Sequence, residues 1–205
     1  MAKSQLIKDV ATNQITVEET LQRLLIITDD LNIVEMKEWL KGELNGYSHV
    51  EMLPDYRKRV GNRIIYSGIN GNFQITNQPL PISFIPEEMR DVVLNPKIKE
   101  SISSIEKTLF DESEIGVDLT YLAGAIYNKT GVQCYSIYQK YSLMSLSEIT
   151  SNVKNKALLM LLDLEKEFGN LDSLDINDSD ITEEKVKRIK NSVNEIFYDE
   201  ISEEL

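Results

Sequence analysis

The chain has 205 residues, 41% hydrophobic and 27% charged, with a formal net charge of −12. That length and composition fit one medium globular domain or two small ones, with a core large enough to need no staples. The acidity excludes a duplex nucleic-acid binder, no apolar run approaches the ~20 residues of a membrane span, and the single Cys134 excludes an intrachain disulfide.

With no signal-peptide core at the N-terminus, these features point to the cytoplasm. The charge is uneven. Residues Asp163 to Leu205 hold 14 acids and 5 bases, a net of −9. The one basic cluster is Arg57, Lys58, Arg59 and Arg63.

Residues 1–46 read as a helical hairpin. Leu6, Ile7 and Val10 make a short apolar face. Thr16 and Glu19 form a capping-box pattern, followed at helical spacing by Leu21, Leu24, Leu25, Thr28 and Leu31. Asn32 and Glu35 are read as opening the next helix, with Ile33, Met36, Leu40 and Leu44 on one side and Trp39 flanking. Gly46 stands where a left-handed cap belongs.

Residues 56–85 change period and predict a small antiparallel β-meander. Asn70-Gly71 is a strong hairpin signal. Pro79, Pro81 and Pro86 forbid a central strand there. Residues 86–170 read as helices. Asn95-Pro96 looks like an N-cap with proline at the first helical position, leading into Ile98, Ile102, Ile105 and Leu109. Asp118 caps a helix carrying Leu119, Leu122, Ala123 and Ile126. Tyr135, Tyr138 and Tyr141 recur every third residue, a pattern open to an edge strand, a 3₁₀ turn or a loop. Ser145 and Glu148 form a second capping box before a helix apolar nearly all round, with Ile149, Val153, Ala157, Leu161, Leu164 and Phe168. Residues 171–205 are an acidic linker and a final amphipathic helix, capped at Asp180 and Glu183, with Val186, Ile189, Val193, Ile196 and Phe197 on one face. The fold class is therefore α+β and mainly helical, with the small sheet between an N-terminal hairpin and C-terminal helices.

Chemistry is scarce. His49 is the only histidine, so any Ser-His-Asp or Cys-His system must use it. Cys134 lies among apolar and aromatic neighbours, the setting of a structural thiol. One His and one Cys make a poor zinc set. A calcium loop fails in both registers. From Asp172 it puts Leu174 and Ile176 at ligand positions. From Asp175 it puts Asp180 where glycine is needed and Val186 where glutamate is needed. There is no phosphate-binding loop and no nucleophile elbow. The prediction is no catalytic residue, no metal ligand and no cofactor. Two contact surfaces remain. Tyr135, Tyr138 and Tyr141, with Ile189, Val193 and Phe197 of the final helix, are candidates for a protein partner. Arg57, Lys58, Arg59 and Arg63 are candidates for an anion.

The longest ordered motif runs from Trp39 to Arg57. It reads Trp-Leu-x-x-Glu-Leu-Asn-Gly-Tyr, then Leu-Pro-Asp-Tyr-Arg. Physically it is a corner. Gly46 supplies a positive φ, Pro54 pre-sets a turn, Tyr47 and Tyr56 bury rings, and Glu43, Asp55 and Arg57 are placed to form ion pairs. The motif resembles the AbiTii family of bacterial abortive-infection proteins. The Ser4-Gln-Leu-Ile-Lys-Asp opening, the Leu21–Leu31 helix, Pro79-Leu-Pro81 and the Ile98–Leu109 helix fit too. The likeness is good through Leu109, thins at the tyrosines and is not claimed for the acidic tail. It implies an AbiTii-like domain over 1–170 with 171–205 appended. It also implies phage defence by a non-enzymatic sensing, adaptor or assembly module that contacts a phage or host protein or forms a homo-oligomer. The alternatives are a sensor of a small anionic ligand or nucleotide, and a toxin with unrecognised enzymatic activity.

Overall fold

The computed structural model describes residues 3–111 and 115–198. In chain order they form α1 (Gln5–Ala11), α2 (Val17–Thr28), α3 (Val34–Asn45), β1 (Asn62–Asn70), β2 (Phe73–Pro79), α4 (Glu87–Leu94), α5 (Ile102–Phe110), β3 (Gly116–Asp118), α6 (Ala123–Thr130), β4 (Gln133–Tyr141), α7 (Leu143–Phe168) and α8 (Glu183–Tyr198). This is the mainly helical α+β fold that the sequence predicts, with one antiparallel sheet. The chain divides into two compact units, and not in chain order. Unit 1 takes residues 1–48, 100–106 and 150–205; unit 2 takes 49–99 and 107–149.

Unit 1 is helical among its described residues. The predicted capping box forms at α2: Thr16 accepts from the Glu19 amide at 3.0 Å, and Glu19 accepts from the Thr16 amide at 3.1 Å. The Val17 and Glu18 amides both donate to the Glu106 carboxylate, at 2.8 and 3.1 Å. Box and carboxylate together occupy the first-turn donors that a helix leaves over. Asn32 does not cap α3. It sits at φ 52° and closes the 3₁₀ turn Asp29–Leu31, the tight joint of the hairpin. Its short polar side chain tolerates that left-handed conformation. At α8 the cap is Thr182 rather than Asp180; its hydroxyl accepts from the Lys185 amide at 3.3 Å.

The end of α3 explains the family-like motif. Gly42 is buried, and a methyl group there would run into the Tyr47 ring. Gly46 ends the helix at φ 84°, ψ 163°, a region open essentially to glycine alone and different from the left-handed cap predicted. That turn lays Tyr47 back over Gly42, where its hydroxyl donates to the fully buried Glu43 at 2.9 Å. The two glycines thus serve one tyrosine.

The start of α1 is tied to the end of α7. Ser4 is fully buried. Its amide donates to Glu165 at 2.6 Å, its hydroxyl donates to the same oxygen, and Lys3 Nζ lies 2.7 Å from the other. The Leu6 amide donates to Asp172 at 3.1 Å. Burial works against the Glu165 charge, but Lys3 and the two Ser4 donors outweigh it and hold the carboxyl at about 2, against an ordinary 4.5. A depressed carboxyl stabilises the fold above its unfolded pKa and loses that contribution as pH falls through the folded one. Unfolding free energy should therefore drop by about 2 kcal/mol between pH 4.5 and 2, allowing for the exposed lysine. Denaturation at stepped pH checks this: Glu165→Gln should lack that part of the acid slope.

In α7, Val153, Ala157, Leu161 and Leu164 are buried as the spacing predicts. Leu159 is 49% exposed, so the helix is not buried all round. It also begins at Leu143, which puts Ser145 inside the first turn rather than at the cap.

Unit 2 holds the sheet. The segment 56–85 supplies only its first hairpin, β1 and β2, turning at Gly71 (φ 60°). Two more strands come from the segment read as helices, and the order is β2-β1-β4-β3, antiparallel throughout. The tyrosine segment β4 is therefore an interior strand. A bulge hides its alternation: Ser67 pairs with Ser136 and Gly68 with Cys134, leaving Tyr135 without an opposite residue. Cys134 faces inward on one side of the bulge, Ile137 and Gln139 on the other. Ile64, Tyr66, Leu80, Ile85, Leu122, Ile126 and Ile137 form the core. Burial there raises the Cys134 thiol above its ordinary pKa. Gln139 Nε2 donates to the Val93 carbonyl and Asn62 Nδ2 to that of Leu94, at 3.3 Å for the latter. These amides occupy the last carbonyls of α4.

Candidate functional site

Unit 2 presents two surfaces suited to contact, a basic ribbon and the outer part of the sheet. The ribbon replaces a predicted helix start. Residues 96–98 are extended and pair with residues 57–60: the Ile98 amide donates to the Arg57 carbonyl at 3.0 Å, and the Val60 amide to the Pro96 carbonyl at 3.3 Å. Buried Ile98 and Pro96 hold this stretch out of α5. Lys58 and Lys97 stand directly opposite each other in this pairing. Arg59 is exposed at φ 56°. Lys58 Nζ meets Asp55 at 2.8 Å, so Asp55 is paired with a lysine here.

The four predicted anion ligands are not one group. Lys58 and Arg59 share the ribbon. Arg57 has 0% exposure, and its Nη1 donates to the Ile98 carbonyl at 3.2 Å. Arg63 lies on β1 opposite Lys140 of β4. Lys97, which sequence distance separates from the cluster, joins it in space. The only available signal was Asn95-Pro96-Lys97 itself, since the residue before a proline favours extended backbone.

Charge divides between the units. Unit 2 has ten acids and ten bases; unit 1 has the other 24 acids and 12 bases. Within unit 2, the 23 residues from Ile64 to Pro86 include no charge at all. That run contains β2, which lies at one end of the sheet order. Phe73 at its start is 74% exposed. On β4, Tyr135 is 56% and Tyr138 42% exposed, and Tyr141 is half-buried. Tyr138 pairs with Ile65 and Asp118 and so shares their face of the sheet.

The final helix is placed differently from the tyrosines. Ile189 and Val193 are buried in unit 1, and Phe197 packs on Trp39 with ring centroids 5.4 Å apart. Lys190 pairs with Glu35 at 2.9 Å and Arg188 with Glu167 at 2.9 Å. Lys156 of α7 donates to the Ile196 carbonyl at 2.7 Å. The apolar face of α8 is thus filled by its own chain. Unit 1 also has a cleft of about 320 Å³ at the α1–α2 joint, lined by Asn13, Thr16, Glu106 and Lys154 among others. Thr16 and Glu106 are spent on the α2 amides, and Lys154 on Asn13.

The model of the AbiTii family matches residues 4–190. The chain belongs to the AbiTii family. The match extends past Leu109 through β4, α7 and half of α8, so AbiTii membership covers both units and reaches into the tail that the motif alone left out. It places this AbiTii chain in abortive-infection defence against phage. No curated protein and no solved structure matches it significantly. Among the described residues no helix is long and apolar enough to cross a membrane, and no three His, Cys, Asp or Glu side chains gather to hold a metal ion.

Proposed function

We propose that this AbiTii chain acts in the cytoplasm as a non-enzymatic sensing and adaptor module of phage defence, and that a phage or host protein docks on the outer part of the unit 2 sheet. The carrying observation is the charge-free run Ile64–Pro86, which holds the terminal strand β2. Edge strands usually carry charge to discourage pairing with another chain. Here Asn77, at φ 50°, forms a bulge against Ser67, whose hydroxyl accepts the Asn77 amide at 3.0 Å. The bulge, Thr76 and Asn77 against Ser67, disrupts the edge beyond it and leaves Phe73–Ile75 in regular pairing with β1. An extended partner segment added along those residues gains backbone hydrogen bonds, and Phe73 supplies an apolar anchor. Tyr135 and Tyr138 add rigid aromatic contact at low entropic cost.

The test is phage plaquing on cells carrying full-length variants, with folding checked by circular dichroism. Thr76→Lys puts a charge on the edge, and Tyr135→Ser with Tyr138→Ser truncates the face. Each should weaken the partner contact about tenfold and reduce protection accordingly. Exposed α8 substitutions such as Lys187→Ser should leave protection intact. Undiminished protection in the edge and face variants overturns the reading. Dimers in light scattering that Thr76→Lys dissolves would assign the edge to a second copy instead.

A further inference from the structure

We infer that the ribbon of residues 57–60 and 96–98 is a binding site for a small polyphosphate anion, with Lys58, Arg59 and Lys97 as its cations. The inference stands apart from the protein contact above, since it uses neither β2 nor the tyrosines. Like charges directly opposite on two strands oppose the pairing. Yet Lys58 and Lys97 are held opposite each other by flanking backbone bonds, and Arg57 is buried with its guanidinium bonded to the Ile98 carbonyl. Asp55 answers Lys58 alone. Among the described residues neither Arg59 nor Lys97 meets a carboxylate.

Arg59 sharpens the point. Regular alternation puts Arg57 inside, Lys58 outside and Arg59 inside, opposite the buried Pro96. The positive φ of Arg59 breaks that rhythm and exposes its cation next to the half-buried Lys58. Backbone in that region is strained for a residue other than glycine, and such strain collects at functional positions.

The side-chain chemistry selects the ligand. Opposite residues on paired strands have Cβ atoms about 5 Å apart. Two lysines supply mobile point charges, and the arginine supplies a planar fork for phosphate oxygens. Three cations on a short ribbon make no track for a nucleic-acid strand, which a chain of net charge −12 also repels.

Full-length protein titrated calorimetrically with tripolyphosphate tests this. Saturable one-to-one binding that weakens as salt rises is expected. Lys97→Gln and Arg59→Gly should each lower the affinity about tenfold. Glycine suits the positive φ, so Arg59→Gly should keep or raise stability, which separates lost binding from lost folding. Asp55→Asn removes the competing carboxylate and should tighten binding. In a parallel arm, ATP binding more tightly than tripolyphosphate identifies a nucleotide site, and equal affinity identifies a site for the phosphates alone. Three results overturn the inference: no saturable heat at low salt, affinity unchanged in both Lys97→Gln and Arg59→Gly, or binding seen only with a single-stranded oligonucleotide.

Discussion

Arg57→Ala should lower the unfolding free energy by about 3–5 kcal/mol, among the largest losses of any single substitution in this chain. Arg57 is fully buried, and its guanidinium donates to the Ile98 carbonyl while its own carbonyl accepts the Ile98 amide. Truncation leaves a cavity and strands a buried polar environment built around a cation. In a chain of this size the midpoint of thermal unfolding should fall by about 10 °C. Arg57→Met keeps most of the volume but leaves the buried acceptors without their cation, so it should lose less than alanine only by the cavity contribution. A loss from Arg57→Met as large as from alanine would mean that charge, not packing, fixes the ribbon. Denaturant titration of both variants decides it.

Gly68→Ala should cost about 3 kcal/mol or more, through a clash that no side-chain rotation relieves. A methyl group at Gly68 overlaps the backbone carbonyl oxygen of Gln133 and stands 3.0 Å from the Cys134 Cα. Both atoms belong to β4, beside the bulge at Tyr135. The strands must separate to accept the methyl. Amide exchange should then speed up along both β1 and β4 while the helices of unit 1 stay protected. Gly124, around which a methyl group meets no atom within 4 Å, is the control: Gly124→Ala should leave exchange in the sheet unchanged.

Much of the helical part was legible because its signals are local. The capping box at Thr16, the stop at Gly46 and the buried face of α7 each follow from a few neighbouring residues. The hairpin at Gly71 is local too. The interior strand β4 was not legible as such, since a bulge turns a period of two into tyrosines every third residue. The stretch before α5 misled for a related reason. Asn95-Pro96 has a helix-start pattern, but Ile98 finds deeper burial, and its amide a partner, in a segment about 40 residues earlier. Among the contact candidates, the exposed tyrosines could be named from sequence because aromatic residues stand out in a polar stretch. Lys97 could not be, since only the fold brings it beside Lys58. The apolar stripe of α8 was readable as a stripe, but what fills it, Trp39 included, lies far away in the chain.

The way unit 1 is assembled bears on how this protein is made. Ser4 awaits Glu165, 161 residues later, and α8 is the last described element. Every residue of unit 2 has been joined to the chain once Ile149 is added, whereas unit 1 still lacks its third segment. At about 5–20 residues per second, the N-terminal hairpin is exposed without its closing helices for seconds during each round of synthesis. Interrupted translation would therefore release chains with a finished sheet and an open helical unit. For a protein of abortive infection, that makes synthesis of α7 and α8 the step that closes its helical unit.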